Sequence, residues 1–196
     1  MAASYPTSIK SFSTKTDNVD DVLAAHVNDL QEEVVAIETV LGVGKTGGII
    51  QRVIATTVTH SGALSGATPN DDTIPQIGEG NEIITAAITP KSSSNKILII
   101  FVGNMGSSTT TINTVHIHKD SDADAIYATQ WYPGAGDVVQ PINVITEVDA
   151  GSTSARTYKI RCGATSGNIS VNGISSGRKC GGVMKTSLIL LELKVA

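Results

Sequence analysis

Apolar residues near the start of the chain recur alternately every four and every three positions. This is the a/d spacing of a heptad, in which one face of a helix carries a continuous apolar seam. Asn18, followed by Asp20 and Asp21, supplies an N-cap with acidic residues in the first turn, and Gly42 supplies a C-cap. The pattern predicts a helix over 18–42 with a seam made of Leu23, Val27, Leu30, Val34, Ile37 and Leu41.

The shortness of this helix bears on how its seam is buried. At about 1.5 Å per residue it is about 36 Å long, and an isolated helix of this length is marginal in water. The seam must therefore pack either against its own domain or against copies of itself. Apolar residues off the seam are few, namely Val22, Val35 and Val40, which favours a self-associating coiled coil.

Two segments without periodicity flank the helix. Residues 1–17 contain several serines and one proline, so we expect an extended arm that orders only against a partner. Four glycines fall within residues 42–48, and we predict a hinge over 43–48 that separates the helix from a body formed by residues 49–196.

The body consists of short apolar segments separated by clusters of turn residues, with no helical period between them. Nearly a third of the whole chain is Ile, Val or Thr, which favour strands. This pattern predicts a mainly β protein with an antiparallel β-sandwich. The nine predicted strands cover residues 49–59, 83–89, 96–102, 112–119, 125–130, 138–148, 155–162, 168–172 and 186–195.

Two of the predicted strands contain uninterrupted apolar runs, at residues 97–102 and 188–191. Such runs are typical of strands that are buried on both faces, whereas the outer face of a monomeric sandwich normally meets water. Central strands of a trimer, covered by the second sheet on one side and by neighbouring copies on the other, would account for this excess. We therefore expect a homotrimer.

Charge and hydropathy exclude several classes of partner. The formal net charge is −4, too small to indicate a nucleic-acid or anionic-membrane surface. No apolar run approaches the ~20 residues of a membrane helix, so we expect no membrane insertion and a protein made in the cytoplasm. Cys162 and Cys180 are too few for a disulfide framework and are expected to be free and partly buried.

Two short motifs resemble catalytic or nucleotide-binding loops without meeting their requirements. Gly44-Lys45-Thr46 ends like a phosphate-binding loop, but it follows a helix and lacks the earlier glycine, because Thr39 stands there. Gly173-Ile174-Ser175-Ser176-Gly177 fits the GxSxG nucleophile elbow, but no histidine follows it in the chain. We interpret this second motif as a glycine-rich turn and expect no enzyme activity.

His116 and His118 begin the densest group of potential metal ligands, which continues through Asp120, Asp122 and Asp124. Alternate residues of a strand share a face, so the two imidazoles could hold one metal ion. Because no third ligand is evident nearby, a solvated hairpin with aspartates as turn residues is the favoured alternative. An EF-hand loop is excluded, since its sixth and twelfth positions would not be Gly and Glu.

Three of the seven aromatic residues, Tyr127, Trp131 and Tyr132, precede a glycine-rich turn. Aromatic surfaces on a loop suit sugar rings or protein partners, so these residues form a candidate receptor-binding loop. The alternative, equally favoured, is that they fill a subunit interface or cap the sandwich. Paired carboxylates for glycoside hydrolysis cannot be assigned from the sequence.

Several segments resemble bacteriophage tail-fibre-like and head-fibre-like virion proteins. In the N-terminal part the similar residues are Tyr5-Pro6-Thr7-Ser8 and the helix from Asn28 to Gly42. In the body they are mainly turn and strand-edge residues: Asp72-Thr73-Ile74-Pro75-Gln76, Glu79-Gly80, Ile88-Thr89-Pro90, Ser94-Asn95-Lys96-Ile97-Leu98-Ile99, Asn172-Gly173, Ser176-Gly177-Arg178 and Gly181-Gly182-Val183.

The resemblance implies a homotrimer with a jelly-roll knob similar to tumour-necrosis-factor-like domains, and an N-terminal arm bound to other virion proteins. It implies no cofactor and no shared catalytic residues. Some phage spike tips bind a metal on the three-fold axis through His-x-His, a spacing that His116 and His118 share.

The sequence-based hypothesis is a structural phage virion protein, a fibre knob that adheres to host surface carbohydrate or protein. A trimer would present three copies of each loop, so that individually weak contacts with the host would add together. One alternative is a capsid or tail decoration or connector protein with no receptor role. A depolymerase is a third, disfavoured because the small body leaves little room for a deep substrate groove.

Overall fold

The computed structural model describes residues 24–41 and 48–195. The chain divides into two compact units, residues 1–48 with 194–196 and residues 49–193. The predicted arm over 1–17, the helix cap at Asn18, the seam residue Leu23 and nearly all of the predicted hinge lie outside the described residues, as does the Gly44-Lys45-Thr46 motif.

Helix α1 spans Ala24–Leu41, within the predicted range. Its seam residues Val27, Leu30, Val34 and Ile37 are all exposed, whereas Asp29 and Glu33 are buried. The periodicity thus correctly predicts the helix, and the chain leaves the described part of the apolar seam open. No described helix has the length and apolarity needed to cross a membrane.

Twelve strands form the body, and all nine predicted strands are among them. The sequence did not predict β2 or the small hairpin of β10 and β11, whose residues are mostly small or polar. The strands are β1 (Ile49–Thr57), β2 (Ser61–Leu64), β3 (Asn81–Ile88), β4 (Lys96–Ser107), β5 (Asn113–Lys119), β6 (Tyr127–Trp131), β7 (Val138–Asp149), β8 (Arg156–Ala164), β9 (Ile169–Val171), β10 (Gly173–Ile174), β11 (Gly177–Arg178) and β12 (Thr186–Leu193).

The long strands form two antiparallel sheets. In the first sheet β1, β12, β4 and β7 lie side by side, and the short strands β9 and β2 extend it along one end of β4. The second sheet has the order β3-β8-β5-β6. A core rich in Ile, Leu and Val fills the space between them, with Phe101 and Tyr158 as its largest buried side chains. The expectation of a mainly β, antiparallel fold is confirmed.

The two continuous apolar runs are buried on one face only. In β12, Leu188 and Leu190 point into the core and are fully buried, while Ile189 and Leu191 point outward and are half-exposed. The same alternation runs through β4. The outward residues are as apolar as the inward ones, so the chain itself buries only one of the two apolar faces of these strands.

A connection between β2 and β3, residues 66–80, lies across the outer face of the second sheet. We refer to it as the covering segment. Its start is held by the amide of Thr68, which donates to the carbonyl of Ala164 at 3.3 Å. Its end is held by Arg161, whose Nε and Nη2 donate to the carbonyls of Glu79 and Gly80, each at 2.8 Å. The chain itself therefore shields the outer face of this sheet at His116 and His118, whereas Thr85 on β3 and Ala128 on β6 remain exposed.

Gly80 allows this return toward the sheet. Its φ of +62° lies in the left-handed region, and a Cβ there would come within 2.6 Å of the carbonyl oxygen of Cys162. Only glycine fits without strain, because any other side chain would meet backbone atoms.

Candidate functional site

His116 and His118 lie on β5, and alternation along that strand places both rings on the face away from the core. The structure brings them into direct contact: Nδ1 of His116 is 2.8 Å from Nε2 of His118. On its other side, Nε2 of His116 is 3.5 Å from Oγ1 of Thr68 in the covering segment. Neither histidine is accessible to solvent. The prediction that the two rings share a face is confirmed.

Burial controls the protonation of this pair. It lowers the pKa of His116 to about 3, with further contributions from His118 and Arg161. Burial also lowers the pKa of His118, and the backbone of Asp122 partly offsets that effect. Near neutral pH both rings are uncharged, so one nitrogen of the contact donates its proton and the other accepts it.

The surroundings of the pair bear on the predicted metal site. Among residues 24–41 and 48–195, no group of three or more His, Cys, Asp or Glu side chains could hold a metal ion. The rings are enclosed between β5 and the covering segment of their own chain. The contacts support a hydrogen-bonding role for both rings, and the metal site at His116 and His118 remains a prediction from the sequence.

The acidic run after His118 serves the turn between β5 and β6, the alternative that the sequence favoured. Asp120 has a φ of +54°; its Oδ1 accepts from the amide of Thr157 at 2.7 Å, and its Oδ2 from Arg156 Nη1 at 3.1 Å. Asp122 pairs with Lys119 at 3.2 Å. Asp124 accepts a 2.9 Å hydrogen bond from the Gln76 side chain. Each carboxylate thus has a protein partner.

The candidate receptor-binding residues do not form one loop. Tyr127 and Trp131 lie within β6 and pack, half-buried, against the core. Only Tyr132, 57% exposed, presents most of its surface to solvent. The loop placement was wrong for Tyr127 and Trp131 because residues two and four positions apart in a strand share a face, and here that face is the inner one. Tyr132 is the one of the three that is mostly exposed.

An open groove runs between β6 and the covering segment. One part, of about 340 Å³, is lined by Asp71, Thr73 and Tyr127, and an adjacent part of about 360 Å³ by Thr114 and Gln130. Several of its polar groups already bond to each other: Oδ1 of Asp71 accepts from the amide and the hydroxyl of Thr73, and Gln130 donates to Thr114. The groove is open and has a mixed polar and apolar lining, and it is not a pocket built around one ligand.

The GxSxG motif forms the hairpin of β10 and β11, which confirms its interpretation as a turn. The Ser175 hydroxyl donates directly to Oδ1 of Asp137. His60 lies close by, but its Nε2 contacts the carbonyl oxygen of Ile174, at 2.8 Å. In a hydrolase the histidine stands between the serine and the acid. Here the serine bonds to the acid, and the arrangement is not that of an activated nucleophile.

The two cysteines are free, as expected, but only Cys162 is buried. Burial raises the pKa of its thiol to about 12, so it stays protonated and unreactive. Cys180 is exposed, contrary to the expectation of partial burial, because it lies in a surface turn between β11 and β12.

The outer face of the first sheet is an uncovered apolar feature of the body. One row of paired residues across β1, β12, β4 and β7 consists of four isoleucines, Ile54, Ile189, Ile100 and Ile145. The edge members are widely open, with Ile54 46% and Ile145 66% exposed. We call this the isoleucine row. An apolar row four strands wide is typical of a surface that another protein surface covers.

The two neighbouring rows become polar toward the edges of the sheet. On one side of the isoleucine row, Arg52, Leu191, Leu98 and Glu147 are paired across the four strands. On the other side the paired residues are Thr56, Ser187, Val102 and Asn143. The face thus has an apolar centre with a polar rim, the composition of a protein interface.

Glu192 was not singled out from the sequence, yet it is the most heavily bonded carboxylate of the body. It is fully buried. Its Oε1 accepts from Asn95 Nδ2 at 2.6 Å and from the amides of Lys91 and Ser92, and its Oε2 from Gln51. Burial by itself would raise the pKa of Glu192, but these hydrogen bonds together hold it below its usual value. The sequence does contain a signal for this buried carboxylate, because Glu192 is an acidic residue at an inward-facing position of an otherwise apolar strand.

No protein-family model matches the sequence, and no curated protein is similar to it. Solved structures with some similarity include the sugar-binding C-terminal domain of EclA, with 10% identity, coverage of 67% of this chain and 81% of that one, and a TM-score of 0.33. Another is the enzymatically active domain of tailspike protein 4 from bacteriophage CBA120, with 15% identity, 64% and 19% coverage, and a TM-score of 0.26.

A third similar structure is that of infectious bursal disease virus, Gx strain, with 13% identity, coverage of 76% of this chain and 39% of that chain, and a TM-score of 0.32. The chain spans less than two fifths of the virus protein and about a fifth of the tailspike. At these TM-scores the similarities carry no argument about fold or function.

Proposed function

We propose that this protein is a structural, non-enzymatic component of a bacteriophage virion, a homotrimeric fibre whose body is a knob that adheres to the host cell surface. The observation that carries the proposal is the isoleucine row, a surface four strands wide that the chain leaves uncovered. Burial of apolar surface is the main driving force of association, so such a face is suited to contact with other copies.

The helical unit supports assembly independently. Val27, Leu30, Val34 and Ile37 form the described part of an a/d seam, and all four are exposed. A helix of this length gains its stability from packing rather than from intrinsic propensity. Parallel copies that bury the seam in a short coiled coil would provide that packing.

The strand order supports a jelly-roll knob. Lettered A to H along the chain, the eight long strands pair as A-H-C-F in the first sheet and B-G-D-E in the second. This is the order produced by two interleaved Greek keys, as in the jelly rolls of viral capsid and lectin domains. It agrees with the fold implied by the resemblance to phage fibre proteins.

Three copies would display each surface element three times. Contacts that are individually weak then add, because each later contact forms at a high effective concentration. We place the host contact at Tyr132 and at the open groove beside β6, whose lining includes Tyr127, rather than at Trp131, which packs on the core. The partner is surface carbohydrate or protein, and the arm over residues 1–17 binds other virion proteins.

Two measurements on the full chain test this proposal. Light scattering should give a mass near three times 20.3 kDa. Fluorescently labelled protein should bind host cells and compete with phage adsorption, and heat-denatured protein should not. A stable monomer would remove the basis for the fibre. A trimer that binds no host cells but decorates purified capsids or tails would favour the decoration or connector role instead.

A further inference from the structure

The outer face of the first sheet has opposite charges at its two edges. Arg52 on edge strand β1 and Glu147 on edge strand β7 occupy the same row, with Leu191 and Leu98 between them. Both charged side chains are exposed. Within the described residues no ion pair forms at Arg52 or at Glu147; Lys96 is paired with Asp149 at 2.5 Å, and Glu147 adds a weaker electrostatic interaction with Lys96. Each edge therefore carries a charge available to another chain.

Within one chain these two groups cannot meet. They are separated by three inter-strand spacings, about 14 Å across the sheet. Side by side in a ring, however, the β1 edge of one copy adjoins the β7 edge of the next at the same height. A head-to-tail contact of this kind joins different patches on each copy and closes when the rotation between copies is right.

The width of the face fits closure by three copies. Four strands at about 4.8 Å make a wall about 19 Å wide, and three such walls form a prism whose faces lie about 5 to 6 Å from its axis. Packed sheets stand about 10 Å apart, so one layer of side chains fills about 5 Å. The isoleucine rows of three copies would thus reach the axis and fill the space, whereas four copies would leave a channel.

We propose that the first sheets of three copies surround the three-fold axis, with Arg52 of each copy paired to Glu147 of the next. The isoleucine rows then close into one continuous apolar layer, and three ion pairs fix the register of the copies at the edges. The partner of this face is a second and a third copy of the chain. This arrangement rests on the trimer proposed above and specifies which surfaces form it.

Charge pairs at the edge of an interface act mainly on orientation and specificity, and the apolar layer supplies most of the free energy of assembly. The Arg52–Glu147 pair therefore distinguishes this arrangement from one in which the same faces meet with the opposite orientation. With that opposite orientation, Arg52 of one copy would lie beside Arg52 of another copy, and the like charges would oppose assembly.

The test is cross-linking between engineered cysteines in the full chain. In a Cys180→Ser background, which removes the exposed native thiol, Arg52→Cys and Glu147→Cys are introduced together and treated with a bismaleimide much shorter than the ~14 Å between the two positions in one chain. This reagent is too short to link the two positions within one chain. The expected product on a denaturing gel is a covalently closed trimer, and each single cysteine variant should give no trimer.

A matched charge experiment gives a second readout. Arg52→Glu alone should weaken assembly about tenfold or more, and Arg52→Glu combined with Glu147→Arg should restore it to within about threefold. If the unmodified protein is trimeric but the double cysteine variant stays uncross-linked, this arrangement is overturned while the trimer stands. A cross-linked dimer with a dimeric native mass, or a monomeric native protein, would overturn both.

Discussion

Nδ1 of His116 lies 2.8 Å from Nε2 of His118, and both rings are sealed between β5 and the covering segment. The contact requires that at least one ring be neutral, because a donor must meet an acceptor. Protonation of either neutral ring would place positive charge beside Arg161, which already holds the end of the covering segment. The pair is thus a point at which acid acts on the contact between β5 and the covering segment.

The sign of the pH dependence follows from the lowered pKa of His116. The folded state disfavours protonation, so the pair contributes stability above about pH 6.5 and loses it progressively as the pH falls toward about 3. We expect a loss of up to about 1.4 kcal/mol per pH unit in this range. Thermal melts of the wild type and of His116→Gln at several pH values should show a shallower acid decline in the variant.

His60 provides the control for that experiment. It is only half-buried and bonds to a backbone carbonyl. His60→Gln should leave the acid decline unchanged. An equal flattening in both variants, or in neither, would show that the decline does not originate from the buried pair.

Leu30→Asp places a charge in the exposed seam of α1. Because Leu30 is 54% exposed in the single chain, the change should alter the stability of one chain by no more than about 0.5 kcal/mol. Burial of the same charge in a coiled coil is costly, so assembly or incorporation into particles should fall. Gln31→Asp adds the same charge one position away from the seam and should have little effect; light scattering compares the two.

Ile145→Asp tests the isoleucine row in the same way on the body. With 66% of Ile145 exposed, the melting temperature of the single chain should change little. The charge should prevent the three faces from meeting and so lower the native mass. Val183→Asp is the matched control, since Val183 is 78% exposed and lies off this face. Equal loss of mass in both variants would indicate a general effect of charge on solubility.

Trp131→Ala and Tyr132→Ala separate packing from recognition. Trp131 is half-buried against the core, so its truncation should lower the free energy of unfolding by about 2 kcal/mol. Tyr132 is mostly exposed, and its truncation should cost no more than about 0.5 kcal/mol while reducing host-cell binding. Unfolding curves and cell-binding assays on both variants check this, and full binding by Tyr132→Ala would place the contact elsewhere.

Glu192→Gln removes the charge that organises the turn after β3. The carboxylate accepts hydrogen bonds from Asn95, Gln51, Lys91 and Ser92, and an amide cannot accept all four. The variant should lose about 2 to 4 kcal/mol of stability near neutral pH. Since the pKa of Glu192 is lowered, its contribution is present above about pH 4.5 and disappears in acid. Glu38→Gln, on the exposed surface of α1, is the neutral comparison.

Local periodicity predicted much of this fold. The four-three spacing identified α1, and the short apolar segments located nine of the twelve strands and placed His116 and His118 on one face. What it could not predict depends on segments far apart in the chain. Nothing near β5 indicates that Thr68 will cover the histidines, and nothing near β12 indicates that Gln51 will reach Glu192. The aromatic residues are a different case, because the sequence assigned Tyr127 and Trp131 to a loop although their spacing of four fits one face of the strand that contains them.

The covering segment also sets an order of events during synthesis. The ribosome makes its anchoring residues His116, Arg161 and Ala164 after the segment itself, the last of them roughly a hundred residues later. Contacts between positions so far apart in the chain form slowly. Until then the segment has no surface to lie on, and the rings of β5 are open to water. A nascent chain stalled before β8 would therefore expose this layer to chaperones and proteases, while one that has completed β8 would not.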